Sequence, residues 1–355
     1  MEKWSKVNPG GETKEAFDKG EIVGDDGVAL TAAALQQKFE AMRNSKNAQN
    51  KAETVAKSIE EIQFIGLMQM AIAKEREELG LPAGYHIPLE RVRFFHPEVW
   101  NSDNKERGGA RSSESTAGEY DPSWDLVDTR LGTDARRPFQ HFSILDHELL
   151  HQASHFETDP VGKRLTHKSG FHTADKQGFG LNEAVTETLN QELLKKHEQA
   201  LLKYFPNTES SYDAWFGIQS GTYSLYRDVL SSVIKQVDMK LHAGKAKTWQ
   251  DLKRGYLEGD SMALQSLEEV LGKQAFRLFM AMGSEEKFDV EQYQKKYNFP
   301  TAKGAFHALE IQIERYFTNN LKLSEERLQK LLDDVSVYIK DVEKETIAPI
   351  NGNSK

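Results

Sequence analysis

The 355-residue chain contains no cysteine. That absence excludes a disulfide framework, a thiol nucleophile and thiolate ligands for a metal. Long apolar runs are missing as well. The longest, Phe64 to Ala73, is interrupted by Gln69 and is about half the length a helix needs to cross a bilayer. The first residues, Met1-Glu2-Lys3-Trp4, lack the charged and then apolar pattern of a secretory signal, so the expected location is cytoplasmic. Basic residues are also in deficit. Lys and Arg number 46 against 55 Asp and Glu, for a formal net charge of -9, which argues against nucleic acid or an anionic membrane as a partner. No fixed repeat period is present.

What the chain does contain is a short run rich in histidine and acid, Asp146-His147-Glu148-Leu149-Leu150-His151. Residues four apart on a helix are offset by only about 40°, so His147 and His151 lie one turn apart on one face and can converge on a single ion. Glu148 points about 100° away from His147, beside the metal, where a carboxylate can accept a proton from a water. Pro138 and Phe139 are suited to open a helix here. Apolar residues at Phe139, Phe142, Leu145, Leu149 and Ala153 keep helical spacing across it.

A catalytic zinc site takes three protein ligands and leaves one position for water. Three candidates for the third ligand follow the histidines. His155 extends the series by another turn, but eight residues of helix rise about 12 Å, too far for it to share an ion with His147. Glu157 stands where a metzincin places its third ligand, although Ser154 replaces that family's glycine and Glu157 its histidine. Glu183 lies in Gly180-Leu181-Asn182-Glu183-Ala184-Val185-Thr186-Glu187, with Glu187 one turn later on the same face. One carboxylate of this pair is placed to bind metal and the other to orient a ligand histidine.

Taken together, HExxH and the downstream Asn182-Glu183-Ala184-Val185-Thr186-Glu187 resemble the gluzincins, the thermolysin-like zinc metallopeptidases, whose second motif reads NExx(S/T)(D/E). The resemblance covers about fifty residues. It implies one zinc ion held by His147, His151 and Glu183, with Glu148 as general base. Glu187 would partner the other ring nitrogen of His147, with Asn182 beside it. It also implies a peptide or protein substrate and a donor for the oxyanion on the helical region behind the second motif, for which Tyr226 is the first choice, ahead of Tyr223 and Arg227. The 32 positions between His151 and Glu183 exceed the compact form of that family, so an inserted loop is expected from Phe156 to Gly180. Its His167 and His172 read more simply as surface polar residues than as a second metal site.

The resulting expectation is an α+β chain, predominantly α-helical, with a zincin-like core and a small antiparallel sheet beside the HExxH helix. Residues 1–27, broken by Pro9-Gly10-Gly11 and by Gly24-Asp25-Asp26-Gly27, read as a loosely ordered arm. Residues 28–80 read as helical, with one apolar stripe at Leu30, Ala34, Leu35, Phe39 and Met42. A second stripe runs through Val55, Ile59, Ile62, Ile65, Met68, Met70 and Ile72. The core is expected over 81–200, with strands at Val92 to Phe95 and Trp124 to Thr129 and a polar loop between them from Asn101 to Ser115. Leu126 to Thr129 is the candidate edge for pairing with an extended substrate. Residues 201–355 read as a helical domain, with stretches at Tyr223 to Leu241, Ser261 to Met282, Ala305 to Phe317 and Ser324 to Glu345. The reading is a zinc metallopeptidase. The alternative is an inactive zinc-binding module that serves a partner, a role with no need for Glu148.

Overall fold

The computed structural model describes residues 54–84, 86–100, 117–121, 126–131, 140–158, 166–172, 177–204, 223–260, 262–319 and 322–340. The expected arm, the stripe from Leu30 to Met42 and the loop from Asn101 to Ser115 lie outside these residues. Among the described residues the protein is mostly helical, with a three-stranded sheet and a separate two-stranded hairpin. None of the described helices is long and apolar enough to cross a membrane.

Helix α1, Ile59–Glu78, begins at a reciprocal cap in which Ser58 accepts from the Glu61 amide and Glu61 accepts from the Ser58 amide. It buries Phe64, Ile65, Met68, Ala71 and Ile72. The expected stripe is corrected here, because Ile59, Ile62 and Met70 are exposed and Val55 forms an isolated bridge to Phe94 ahead of the helix. Apolar residues occur all round this helix, so spacing alone could not select the face that packs. Arg76 near its end donates to the carbonyls of Pro82, Ala153 and Leu257, the last two in closing turns of helices, where carbonyls lack intrahelical partners.

Strands β1 (Val92–Phe95), β2 (Gly118–Asp121) and β3 (Leu126–Arg130) form a sheet in the order β1-β3-β2. It is mixed rather than antiparallel: β1 runs parallel to β3, and β2 antiparallel to it. The candidate edge is therefore corrected too. β3 is the central strand, and its first four residues are all buried, which is the signature of an interior strand. Asp128 can lie there because Arg93, its register partner on β1, donates to both carboxylate oxygens at 2.7 and 2.6 Å. Within the sheet, β2 flanks β3 on the side away from β1.

Helix α2, Gln140–Ala153, carries the HExxH run and packs against α1, β2 and β3. It stops before His155, which opens strand β4 (His155–Thr158); β4 pairs antiparallel with β5 (Thr166–Ser169). Part of the expected inserted loop is thus a hairpin. Helix α3, Phe179–Lys196, then carries the second motif and is followed by α4, Glu198–Tyr204.

The described residues fall into two units. The first holds α1, the sheet, α2, the hairpin, α3 from Val185 onward, α4 and α6 (Thr248–Glu258). The second holds the opening turns of α3, then α5 (Ser224–Leu241), α7 (Met262–Leu271) and α8 (Lys273–Ala281). It is completed by α9 (Val290–Tyr297), α10 (Ala302–Thr318) and α11 (Glu325–Ser336). Here α10 packs against α5, α9 and α11, burying Leu309, Ile313 and Phe317 in a core that also holds Val229, Leu230 and Val233 of α5.

Candidate metal centre

His147 and His151 occupy successive turns of α2, and their Nε2 atoms are 3.0 Å apart. Glu183, one turn before Glu187 on the continuous helix α3, completes a group whose ligand atoms all lie within 4.8 Å of one another. Two nitrogens bound tetrahedrally at the usual zinc distance would be separated by about 3.3 Å. The observed separation and the His, His, Glu donor set therefore fit a divalent ion bound by three protein atoms. Among the described residues this is the single group of that kind. His155 and Glu157 lie beyond the end of α2, on strand β4.

Glu187 sets the chemistry of the pair. Its Oε2 is 3.1 Å from Nδ1 of His147 and also accepts from Asn190 at 3.2 Å, while Oε1 accepts from Gln191 at 2.8 Å. Burial opposes charge on this carboxyl, but the contacts with His147, Gln191 and Asn190 outweigh it and hold the group below the ordinary carboxylate range. An ionised Glu187 accepts hydrogen bonds only, so the proton of His147 sits on Nδ1 and the lone pair on Nε2 faces the ion site. Asn190 also donates to the Ser143 carbonyl at 3.1 Å, tying α3 to α2. Thr186 makes a buried 2.7 Å hydrogen bond with the Tyr256 hydroxyl of α6. The second motif thus holds one candidate ligand, one acid that contacts His147 and one packing anchor.

Glu148 is buried, with 8% of its surface exposed. Its neighbour is strand β2, and a Cβ placed on Gly118 would lie 2.8 Å from both Cγ and Oε1 of Glu148. Glu148 therefore lies directly against the strand that flanks β3.

Asn182 is buried at the start of α3, its amide donating to the Gly178 carbonyl at 2.8 Å. Tyr226, on the first turn of α5, is 8% exposed and donates its hydroxyl to Oε1 of Glu310 at 2.6 Å. Burial, Glu310 and Glu183 all raise the pKa of this phenol well above its usual value, so it stays protonated. Burial also raises the carboxyl of Glu310, which Tyr226 and the Gly283 amide partly offset.

One buried acid was missed by motif reading. Asp146 has no exposed surface, and neither carboxylate oxygen has a hydrogen-bond partner among the described residues. Burial raises its pKa well above normal, opposed by His147 and helped by Glu187. Its sequence signal was a carboxylate adjoining Leu145 and three residues before Leu149, within the apolar face of the helix.

No family model matches the chain, and no curated protein or solved structure matches it either.

Proposed function

We propose that the protein is a zinc-dependent peptide hydrolase built on a zincin-like core. The observation that carries this reading is the convergence of His147, His151 and Glu183 with a carboxylate, Glu148, that belongs to no ligand position and lies against strand β2. A purely structural site has no use for such a base. Zinc, when bound, supplies a Lewis acid for a carbonyl and a water of lowered pKa.

The chain's own residues do the rest. His147, His151 and Glu183 hold the ion, and Glu187 keeps His147 in the ligating tautomer. Glu148 takes the proton from the attacking water and returns it to the leaving amine. A peptide laid along β2 would pair with its backbone and pass beside Glu148, which assigns the substrate edge to β2 in place of β3. Tyr226 is retained as the donor for charge developing on the carbonyl oxygen. Its proton faces Glu310 here, so this role requires the hydroxyl to turn.

The test is zinc content by mass spectrometry, together with hydrolysis of a mixed peptide library, for wild type, Glu148→Gln and Glu183→Ala. The expected results are about one zinc per chain in the first two and loss of metal in the third, with hydrolysis by wild type alone. Zinc binding by wild type without hydrolysis of any peptide would favour the partner-binding alternative. Retention of full zinc by Glu183→Ala would overturn the ligand set.

A further inference from the structure

Gly118 has no conformational reason to be glycine. Its φ is not among the positive values that favour this residue, and it sits in a regular strand, paired with Thr129 of β3. A glycine inside a strand weakens it and marks a place where something approaches the backbone closely. Here what approaches is the helix that carries the base. A Cβ at this position would meet Cγ2 of Ile144 at 2.6 Å and Cγ and Oε1 of Glu148 at 2.8 Å.

The other residue of β2 on the same face, two positions along, is Tyr120, which is buried and stacks edge-on against His155 at 5.6 Å. The strand thus meets β4 through a large side chain at one point and α2 through the absence of one at the other. We infer that Gly118 is a positioning residue for the general base: its missing side chain is the space that lets the Glu148 carboxylate lie against β2, where a peptide paired to that strand would pass.

The two groups that crowd the site differ in how they can respond. Ile144 is branched at Cβ and stiff, so its methyl does not turn aside cheaply. Glu148 is unbranched and can turn about its Cα–Cβ and Cβ–Cγ bonds, so it is the group that yields. A methyl at position 118 therefore displaces the carboxylate on the order of an ångström, a misplacement that costs about a hundredfold in rate at a reacting centre. Zinc ligation is untouched, because neither Gly118 nor Ile144 is a ligand.

The inference rests on the hydrolase reading, so the experiment separates the two. Zinc-loaded Gly118→Ala is compared with wild type and with Gly66→Ala, a control on α1 where a Cβ would meet nothing within 4 Å. The expected result for Gly118→Ala is an unchanged zinc content, kcat lowered about ten- to a hundredfold and KM changed by less than about twofold. In thermal unfolding, Gly118→Ala should cost less in a Glu148→Ala background, which lacks both Glu148 atoms that the methyl would crowd, than in wild type. A wild-type kcat in zinc-loaded Gly118→Ala, or an equal loss in both backgrounds, would overturn the proposal. If the methyl against Ile144 prevents folding, Gly118→Ala combined with Ile144→Ala removes that contact and keeps the one with Glu148. If wild type hydrolyses no peptide, the hydrolase reading has failed and a thermal-unfolding cycle between Gly118→Ala and Glu148→Ala decides the placement. Coupling between the two supports the contact, and strict additivity overturns it.

Discussion

The two ends of helix α3 are held by different physics. At its start the contacts are backbone on backbone: the Gly178 amide donates to the Met280 carbonyl at 2.8 Å, and that of Gly180 to the Met282 carbonyl at 3.0 Å. Glycine is required on both sides, since a Cβ on Gly180 would lie 2.8 Å from the Met282 oxygen and one on Gly283 would lie 2.7 Å from the Phe179 ring. At its other end the contacts are charges. Lys253 of α6, buried, bonds both Glu75 of α1 and Glu192 of α3, while Lys196 reaches Glu75 and Glu78 at 3.1 and 2.7 Å. Glu183 lies one turn into the backbone-held end. Close backbone contact tolerates almost no displacement, whereas long side chains can adjust. Glu183 is carried by the end with less freedom.

The largest stability effect belongs to the charged end. Lys253→Met leaves Glu75 buried with only Lys196, about a third exposed, and stranding one member of a buried pair costs about 3–5 kcal/mol. The lower part of that range is expected, because Lys196 stays. The loss should depend on pH. Burial works against the charge of Glu75, yet Lys253 and Lys196 outweigh it and hold the carboxyl below its usual pKa. A depressed acid contributes stability above its unfolded pKa, and that contribution disappears as pH falls through the folded value. The gap between wild type and Lys253→Met, followed by urea unfolding, should therefore be full near pH 7 and close as pH drops below about 4. A gap of constant size at all pH values would show that lost packing, not charge, explains the cost.

Next comes the backbone-held end. Gly180→Ala adds a methyl against the Met282 carbonyl, and overpacking of this kind costs about 1–3 kcal/mol. Alanine recovers up to about 1 kcal/mol through helix propensity. The net loss of stability should be modest, about 1 kcal/mol, and the informative readout is zinc affinity. A shift of the opening turn moves Glu183, and disturbing the support of a ligand weakens metal binding by about 10–100-fold. Lys253→Met, although more damaging to stability, should leave zinc affinity within a few-fold of wild type. Equal effects on metal binding from the two substitutions would erase the distinction between the ends.

The same contrast explains what the sequence made legible. His147, His151, Glu183 and Glu187 were readable because side-chain chemistry at helical spacing projects directly onto the chain. The excess of helix was readable for a similar reason. The order of the sheet was not: Leu126 to Arg130 has the same β-prone composition at an edge or in the middle. Its central place depends on a parallel partner, β1, whose register no local pattern specifies. Nor was the packing face of α1, where Ile59 and Met70 are as apolar as Ile65 and Met68. Gly118 and Gly180 carried no distinguishing mark either. A glycine present for space looks in sequence like any other, and only the neighbouring chain reveals what fills the gap.

The smallest effect sits on the exposed rim of the charged end. Lys196→Ala removes two ion pairs, but the lysine is about a third exposed and Glu78 nearly half, so water and salt already screen most of their attraction. Such pairs contribute about 0–1 kcal/mol, and Glu75 keeps Lys253. The expected cost is under about 1 kcal/mol in dilute buffer and smaller still in 0.5 M salt. The double variant Lys196→Ala/Lys253→Met should lose more than the sum of the two, since only then is Glu75 left without either lysine. Salt-dependent urea unfolding of the four proteins measures that excess. If the double variant is simply additive, the two lysines do not share Glu75, and the charged end of α3 is a set of independent pairs.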